Sequence, residues 1–260
     1  MNTVLALSQV VIKELYRRKD FYVLFVLTAL ITLVMGSANF FNDDKIVRYL
    51  KELCLLLIWI SALFIAVGAS ARQIPAEREN RTIFPLLAKP VTRGQVVAGK
   101  FLGCWLACGI ALLMFYGFLG AVSISREHEW LVLNYFQALW LQWIFLAIVI
   151  ALVLWGSIVF TAPSSNATIC VVLVIGIWGL GRYLNHVALQ EREPLRSVIY
   201  TIYFLIPHLE WFDVRDKVMI HGRGLVPWVD CFLATLYGAA YTLLFLFATW
   251  LGFRRKALNT

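Results

Sequence analysis

The chain has 260 residues, of which 61% are hydrophobic and 15% charged, whereas a soluble domain is roughly 45–50% apolar and about 25% charged. A soluble fold could not cover so apolar an interior with polar surface, and a disordered chain would be poor in apolar residues, so both classes are excluded. The 23 basic residues outnumber the 15 acidic ones for a net charge of +8. Much of that excess flanks apolar runs, so it reads as membrane topology and contact with anionic lipid, and not as nucleic-acid binding.

In chain order, residues 3–19 read as an amphipathic helix. Val4, Leu7, Val11 and Leu15 fall on one face, and Lys13, Glu14, Arg17 and Arg18 fall largely on the other. Such a helix lies in the membrane interface. It is not a cleavable leader, because its basic cluster follows the apolar stretch instead of preceding it. Uncharged runs then follow at Phe21–Phe41, Leu53–Ala71 and Phe101–Ser125, each near the ~20 residues that cross a bilayer as a helix. The next uncharged stretch, Trp130–Gly181, is too long for one span. It contains Thr161-Ala-Pro-Ser-Ser-Asn-Ala167, a turn signal that divides it into spans near 135–160 and 168–187. Cys231–Phe253 completes a set of six, which places both termini on one side.

Lys and Arg orient the set. With the N-terminus inside, the inner segments carry Lys13, Arg17, Arg18 and Lys19, then Arg72, Arg78, Arg81, Lys89, Arg93 and Lys100, then Arg254, Arg255 and Lys256. The short outer loop after the third span carries only Arg126, and the remaining outer charges sit mainly in one long region, which weighs little in this rule. Trp130, Trp211 and Trp228 bracket the outer face and Trp250 the inner one, as interfacial anchors do. The expectation is N-terminus and C-terminus both cytoplasmic.

The outer segment 188–229 is the largest polar-rich stretch outside the spans. Its apolar run Ser197–Pro207 is too short to cross as a helix and suits an interfacial or re-entrant segment. His208-Leu-Glu-Trp-Phe-Asp213 and Arg215-Asp-Lys217 read as a cap on the outer end. The five cysteines (Cys54, Cys104, Cys108, Cys170, Cys231) all lie in apolar runs without metal-site spacing and read as small packing residues. His128, His186, His208 and His221 are far apart and form no paired-ligand motif, so no metal site is expected.

The inner loop between the second and third spans, residues 72–103, is dense in charge: Arg72, Glu77, Arg78, Glu79, Arg81, Lys89, Arg93 and Lys100. Its order is an acidic–basic cluster, a short apolar helix at Ile83–Ala88, a Lys-Pro turn and an amphipathic piece entering the third span. This order resembles the first cytoplasmic loop of ATP-binding-cassette (ABC) transporter permeases of the ABC-2 type. Glu77, Glu79 and Thr82 match the acidic pair and Thr of that family, Leu86 and Leu87 its Leu pair, Pro90-Val-Thr-Arg93 its Pro turn, and Gly99-Lys100 the opening of its third span. Arg81 stands where the family has Gly.

The resemblance implies a single transmembrane permease domain over 1–260, all-α, with an interfacial helix at 3–19, a coupling loop at 72–100 and the outer segment at 188–229. It implies no ATPase site in this chain. ATP and Mg would sit on a partner ATPase subunit, which a coupling helix in the loop would engage through Glu77, Arg78, Glu79, Arg81, Thr82, Pro90 and Arg93. A smaller second contact is expected at Thr161–Ala167. Further implied partners are a second permease copy or paralogue, the lipid bilayer, and a periplasmic or extracellular accessory protein. The function implied is ABC export by alternating access.

Gly94-Gln-Val-Val-Ala-Gly99-Lys100 has the spacing of a phosphate loop, but Phe101 stands where Ser or Thr would hold Mg²⁺ and no strand precedes it. Lys100 reads instead as an anchor of the third span at the interface. No nucleophile elbow occurs, which argues against an intramembrane enzyme. Charges inside the spans are nearly absent, with Arg182 and Asp230 near their outer ends, which argues against an ion-coupled carrier. Uncharged polar residues such as Thr28, Thr32, Asn39, Ser61, Gln137, Gln142 and Ser157 read as helix–helix hydrogen-bonding groups. A membrane anchor or assembly subunit without transport stays open beside the exporter reading, as does the ion-coupled carrier.

Overall fold

The computed structural model describes residues 2–17, 22, 26, 29–30, 33, 44–75, 92–127, 132–160, 162–190, 195–215 and 224–255. Among the described residues the chain is helical, without strands. The elements are α1 (Asn2–Tyr16), α2 (Asp44–Ala71), α3 (Arg93–Glu127), α4 (Val132–Val159), α5 (Pro163–Gln190), α6 (Leu195–Leu205), a 3-10 turn (Leu209–Phe212) and α7 (Trp228–Arg255). Among the described residues, five stretches are long and apolar enough to cross a membrane: Glu52–Ala71, Arg93–Ala121, Leu133–Val159, Pro163–Gly181 and Trp228–Arg254. Most of the first expected span, Phe21–Phe41, lies outside the described residues. Tyr22, Val26, Ala29, Leu30 and Leu33 within it are helical.

Local chemistry sets the boundaries. The third span was expected to begin at Phe101, yet α3 begins at Arg93. Thr92 and Gln95 form a capping box: the Thr92 N–H donates to Gln95 Oε1 at 3.0 Å, and the Gln95 N–H donates to Thr92 Oγ1 at 3.3 Å. Two of the orphan N–H groups of the helix start are thereby satisfied. The seven-residue turn expected at Thr161–Ala167 is shorter in the structure, because α5 starts at Pro163. Proline suits the first helical position, where its missing N–H costs nothing. Asn166 is therefore not a loop residue. It is fully buried in the first turns of α5 and donates from Nδ2 to the Val153 carbonyl of α4 at 3.1 Å.

Helix α4 lies at the centre, with 78% of its apolar window buried against 17% for α7. In lipid the surroundings are as apolar as the helices, so association rests on close approach and on interhelical hydrogen bonds. Both devices are present. Trp105 of α3 and Trp143 of α4 stack with ring centroids 4.4 Å apart, and each indole donates to the other's main-chain carbonyl, at 3.1 and 3.0 Å. Gly109 makes room for this pair, since a Cβ there would fall 2.8 Å from Trp143 Nε1. On α7, Gly238 meets Ile144, and Gly252 lets Ile158 approach to 2.9 Å of a would-be Cβ.

The amphipathic N-terminal helix has the expected buried stripe, with Val11 buried and Leu15 packed against the core. Its seat is a groove on α3. A Cβ on Gly99 would lie 2.7 Å from Leu7 Cβ, and one on Gly103 would lie 2.6 Å from Val11 Cβ. The GxxxG spacing of Gly99 and Gly103 is a backbone-approach motif of membrane helices.

Candidate functional site

The helices alternate in direction, so the bundle has two ends. The loop end holds the C-terminus of α2, the start of α3, the α4–α5 turn and the C-terminus of α7. The cap end holds α6, the 3-10 turn and the start of α7.

Of the residues expected to engage a partner ATPase, Glu77, Arg78, Glu79, Arg81, Thr82 and Pro90 lie outside the described residues. The feet on either side of them are described. On one side, α2 ends at Ala71, and the Gln73 N–H donates to the Ser70 carbonyl at 3.2 Å, turning the chain. On the other, α3 carries Lys100, whose Nζ donates to the Gln73 carbonyl at 2.7 Å and to Gln73 Oε1 at 3.3 Å. Both residues are 4% exposed. A buried ammonium is costly unless hydrogen-bonded, so this contact closes the root of the loop in one geometry.

Arg93 is the one expected coupling residue the structure describes. Its Nη1 donates at 3.0 Å to the main-chain carbonyls of both Phe253 and Arg254, and its guanidinium lies 5.8 Å from the Phe253 ring centroid. These carbonyls belong to the last turn of α7, which lacks intrahelical donors and carries the negative end of the helix dipole. Sequence reading missed both Gln73 and the α7 carbonyls as partners. The signal was a polar residue just past an apolar run, facing a basic residue just inside the next.

The phosphate-loop spacing at Gly94–Lys100 has no loop behind it. All seven residues are α-helical, and Gly99 is taken up by α1. A nucleotide-binding loop needs consecutive main-chain N–H groups turned toward phosphate, and here the Gln95 N–H is taken by the Thr92 hydroxyl and the Val96 N–H by the Thr92 carbonyl.

Between the ends, polar side chains of the spans hold helices together. Gln137 donates to the Val226 carbonyl at 2.9 Å and accepts from the Val226 N–H at 3.1 Å, fixing the approach of the chain to α7. Tyr116 of α3 donates to Gln142 Oε1 of α4 at 2.6 Å. Ser157 bonds its own helix, to the Leu154 carbonyl. The five cysteines are all buried.

At the cap end Leu209 and Phe212 are buried, as a cap requires. Arg215 forms a bidentate pair with Asp213 at 2.7 and 2.9 Å over the ring of Trp59. His208 stacks on Tyr203 with centroids 4.2 Å apart, and its main-chain N–H donates to the Tyr237 hydroxyl of α7 at 2.9 Å. Burial holds the imidazole below its ordinary value, partly offset by Glu210 at 4.0 Å. A cavity of about 740 Å³ opens beside this cap, lined by Leu141, Glu210, Trp211, Asp213, Asp230 and Leu233 among others. The Tyr203 hydroxyl beside His208 is held above its ordinary value, again mainly by burial, which disfavours the charged form of either group.

The sequence has matches among known proteins. The sequence matches the family described as ABC-2 family transporter protein over residues 12–258. The chain is 31% identical over 156 residues to a probable ABC transporter permease protein NosY of Stutzerimonas stutzeri, which is 56% of this chain and 51% of that protein. It is 35% identical over 82 residues to a protein of the same description from Pseudomonas aeruginosa, 32% of this chain and 28% of that one. The chain thus matches about half or less of the length of these curated relatives.

Proposed function

Because the chain belongs to the ABC-2 family of transporter proteins, we propose that it is the permease subunit of an exporter that alternates between inward and outward openings, driven by ATP hydrolysis on a separate ATPase subunit. The observation that carries this reading is the closed root of the loop. Gln73 and Lys100 bring the C-terminus of α2 and the start of α3 together. A segment so held can pass a rigid-body push into two membrane helices at once.

Six spans and a cytoplasmic placement of both termini are part of this proposal. The groove on α3 seats α1 at the loop end, while α2 starts at the cap end. Between them Tyr22, Val26, Ala29, Leu30 and Leu33 are helical, all within the uncharged run Phe21–Phe41. With five apolar helices in the structure, this supports a sixth. The Lys and Arg bias then supports a cytoplasmic loop end, and the family supports a bacterial-type inner membrane. The substrate path would run between apolar, aromatic and weakly polar walls, which suits an amphipathic or lipid-like cargo.

Glu77 and Glu79 are the residues on which this reading is tested. In the complex with its ATPase, Glu77→Lys with Glu79→Lys should uncouple ATP hydrolysis from transport and leave the membrane domain folded. Normal ATPase binding and normal transport in the doubly reversed protein would remove the coupling role of the loop.

A further inference from the structure

We infer that Arg93 is a positioning residue that carries movement of the inner loop into the last membrane helix, an inference that rests on the reading of the chain as an ATPase-driven permease. By resemblance Arg93 belongs to the surface that meets the ATPase. In the structure its Nη1 is turned inward, onto the Phe253 and Arg254 carbonyls 160 and 161 residues away.

Three observations make this contact a tie. Arg93 is the first residue of α3 and follows the capping-box Thr92, so it stands at the edge of the loop where movement would arrive. The neighbouring Gly94 lies flush against α7, since a Cβ there would meet Trp250 at 3.5 Å. And α7 packs on the central α4 through Gly238 against Ile144 and Gly252 against Ile158, so a displacement imposed at its end is carried along a continuous helix–helix contact. Arg93 supplies two charge-assisted bonds at one end of it, of the stronger kind.

The same helix reaches the cap end. Tyr237 of α7 accepts from the main-chain N–H of His208, and Gly238 packs on Phe212 of the 3-10 turn, a would-be Cβ lying 3.1 Å from Phe212 Cζ. Arg93 thus links the loop to a helix whose far half holds the cap. A spatial chain of contacts becomes a coupling path only when breaking it changes the response at the far end.

The experiment uses the intact permease–ATPase complex in lipid nanodiscs. Val229→Cys places a label in the exposed first turn of α7, where the native cysteines are buried. The rate of its modification by a water-soluble maleimide is measured with and without ATP and vanadate, beside the rate of ATP hydrolysis. With Arg93 intact, the modification rate changes on nucleotide addition. With Arg93→Gln, the ATPase stays in the complex and the change per ATP hydrolysed shrinks at least about fivefold, the low end of ordinary coupling between linked sites. Arg93→Lys, which keeps a cationic donor at the helix end, restores part of it and covers the case in which Arg93→Gln fails to fold.

An undiminished nucleotide response in Arg93→Gln overturns the inference. So does loss of the ATPase from the complex in Arg93→Gln, which would make Arg93 a docking contact. Absence of an ATPase partner or of any nucleotide response in the unsubstituted protein overturns the permease reading itself, and the inference with it.

Discussion

Lys100 of α3 reaches across the root of the inner loop and donates its ammonium to the main-chain carbonyl of Gln73, 27 residues earlier, at 2.7 Å. The two residues lie on opposite sides of the segment with the greatest density of charge. Their contact explains why a lysine at the opening of an apolar span is buried and not merely snorkelling to the interface. Lys100→Met should leave the Gln73 carbonyl without its charged donor and cost about 1–3 kcal/mol, the penalty for an orphaned buried group. The measurement is thermal unfolding of the detergent-solubilised protein. An unchanged midpoint would mean that the contact contributes nothing.

Trp105 and Trp143 form a reciprocal pair and should behave as one unit. Each Trp→Phe substitution removes one indole donor and keeps much of the stacking. Residues in one such network couple by about 0.5–3 kcal/mol. A double-mutant cycle on thermal stability is expected to be non-additive in that range. Strict additivity would show that the two bonds act separately.

Gly103 seats α1. Gly103→Leu would drive a side chain into Val11, whose Cβ already lies 2.6 Å from the position of an added Cβ. The helix should lift from its groove without unfolding the bundle. Thiol labelling of Val11→Cys should be slow in the parent protein, where Val11 is 4% exposed, and fast in the Gly103→Leu variant. Equal labelling rates would place α1 elsewhere.

His208 gives the cap end an acid sensitivity. Its imidazole is held below the ordinary value of 6.5, chiefly by burial. As pH falls through 6.5 the unfolded ring protonates while the folded one stays neutral. The unfolded state then binds more protons, and stability declines until the folded ring protonates as well. Thermal midpoints should therefore fall between about pH 7.5 and about pH 5. In His208→Phe, which keeps an aromatic ring against Tyr203, that fall should be shallower by the His208 share. The same slope in both proteins would remove His208 as its source.

What the sequence made legible follows from length and periodicity. Apolar runs located α2, α3, α4, α5 and α7, because a bilayer demands about 20 apolar residues whatever the packing. The helix ends were less legible because caps decide them. Thr92 and Gln95 form a capping box whose spacing stands in the sequence, yet the charge density around it read as loop. Pro163 read as a turn residue, although proline is equally a helix starter. The face of α1 was readable, but its seat on Gly99 and Gly103 was not, since small residues at that spacing also serve simple packing. Least legible of all were the contacts of Lys100 and Arg93. Each joins positions far apart in the chain, and only the folded arrangement brings a cation to a helix C-terminus.

The central claim is that this chain works with a separate ATPase. The most direct test is affinity purification of the tagged protein from its native host in mild detergent, with mass spectrometry and stoichiometry of what accompanies it. The account predicts an ATPase subunit with its own phosphate loop in stoichiometric amount, whose coupling to the permease is lost on Glu77→Lys with Glu79→Lys. A different stoichiometric partner, or none, would contradict it.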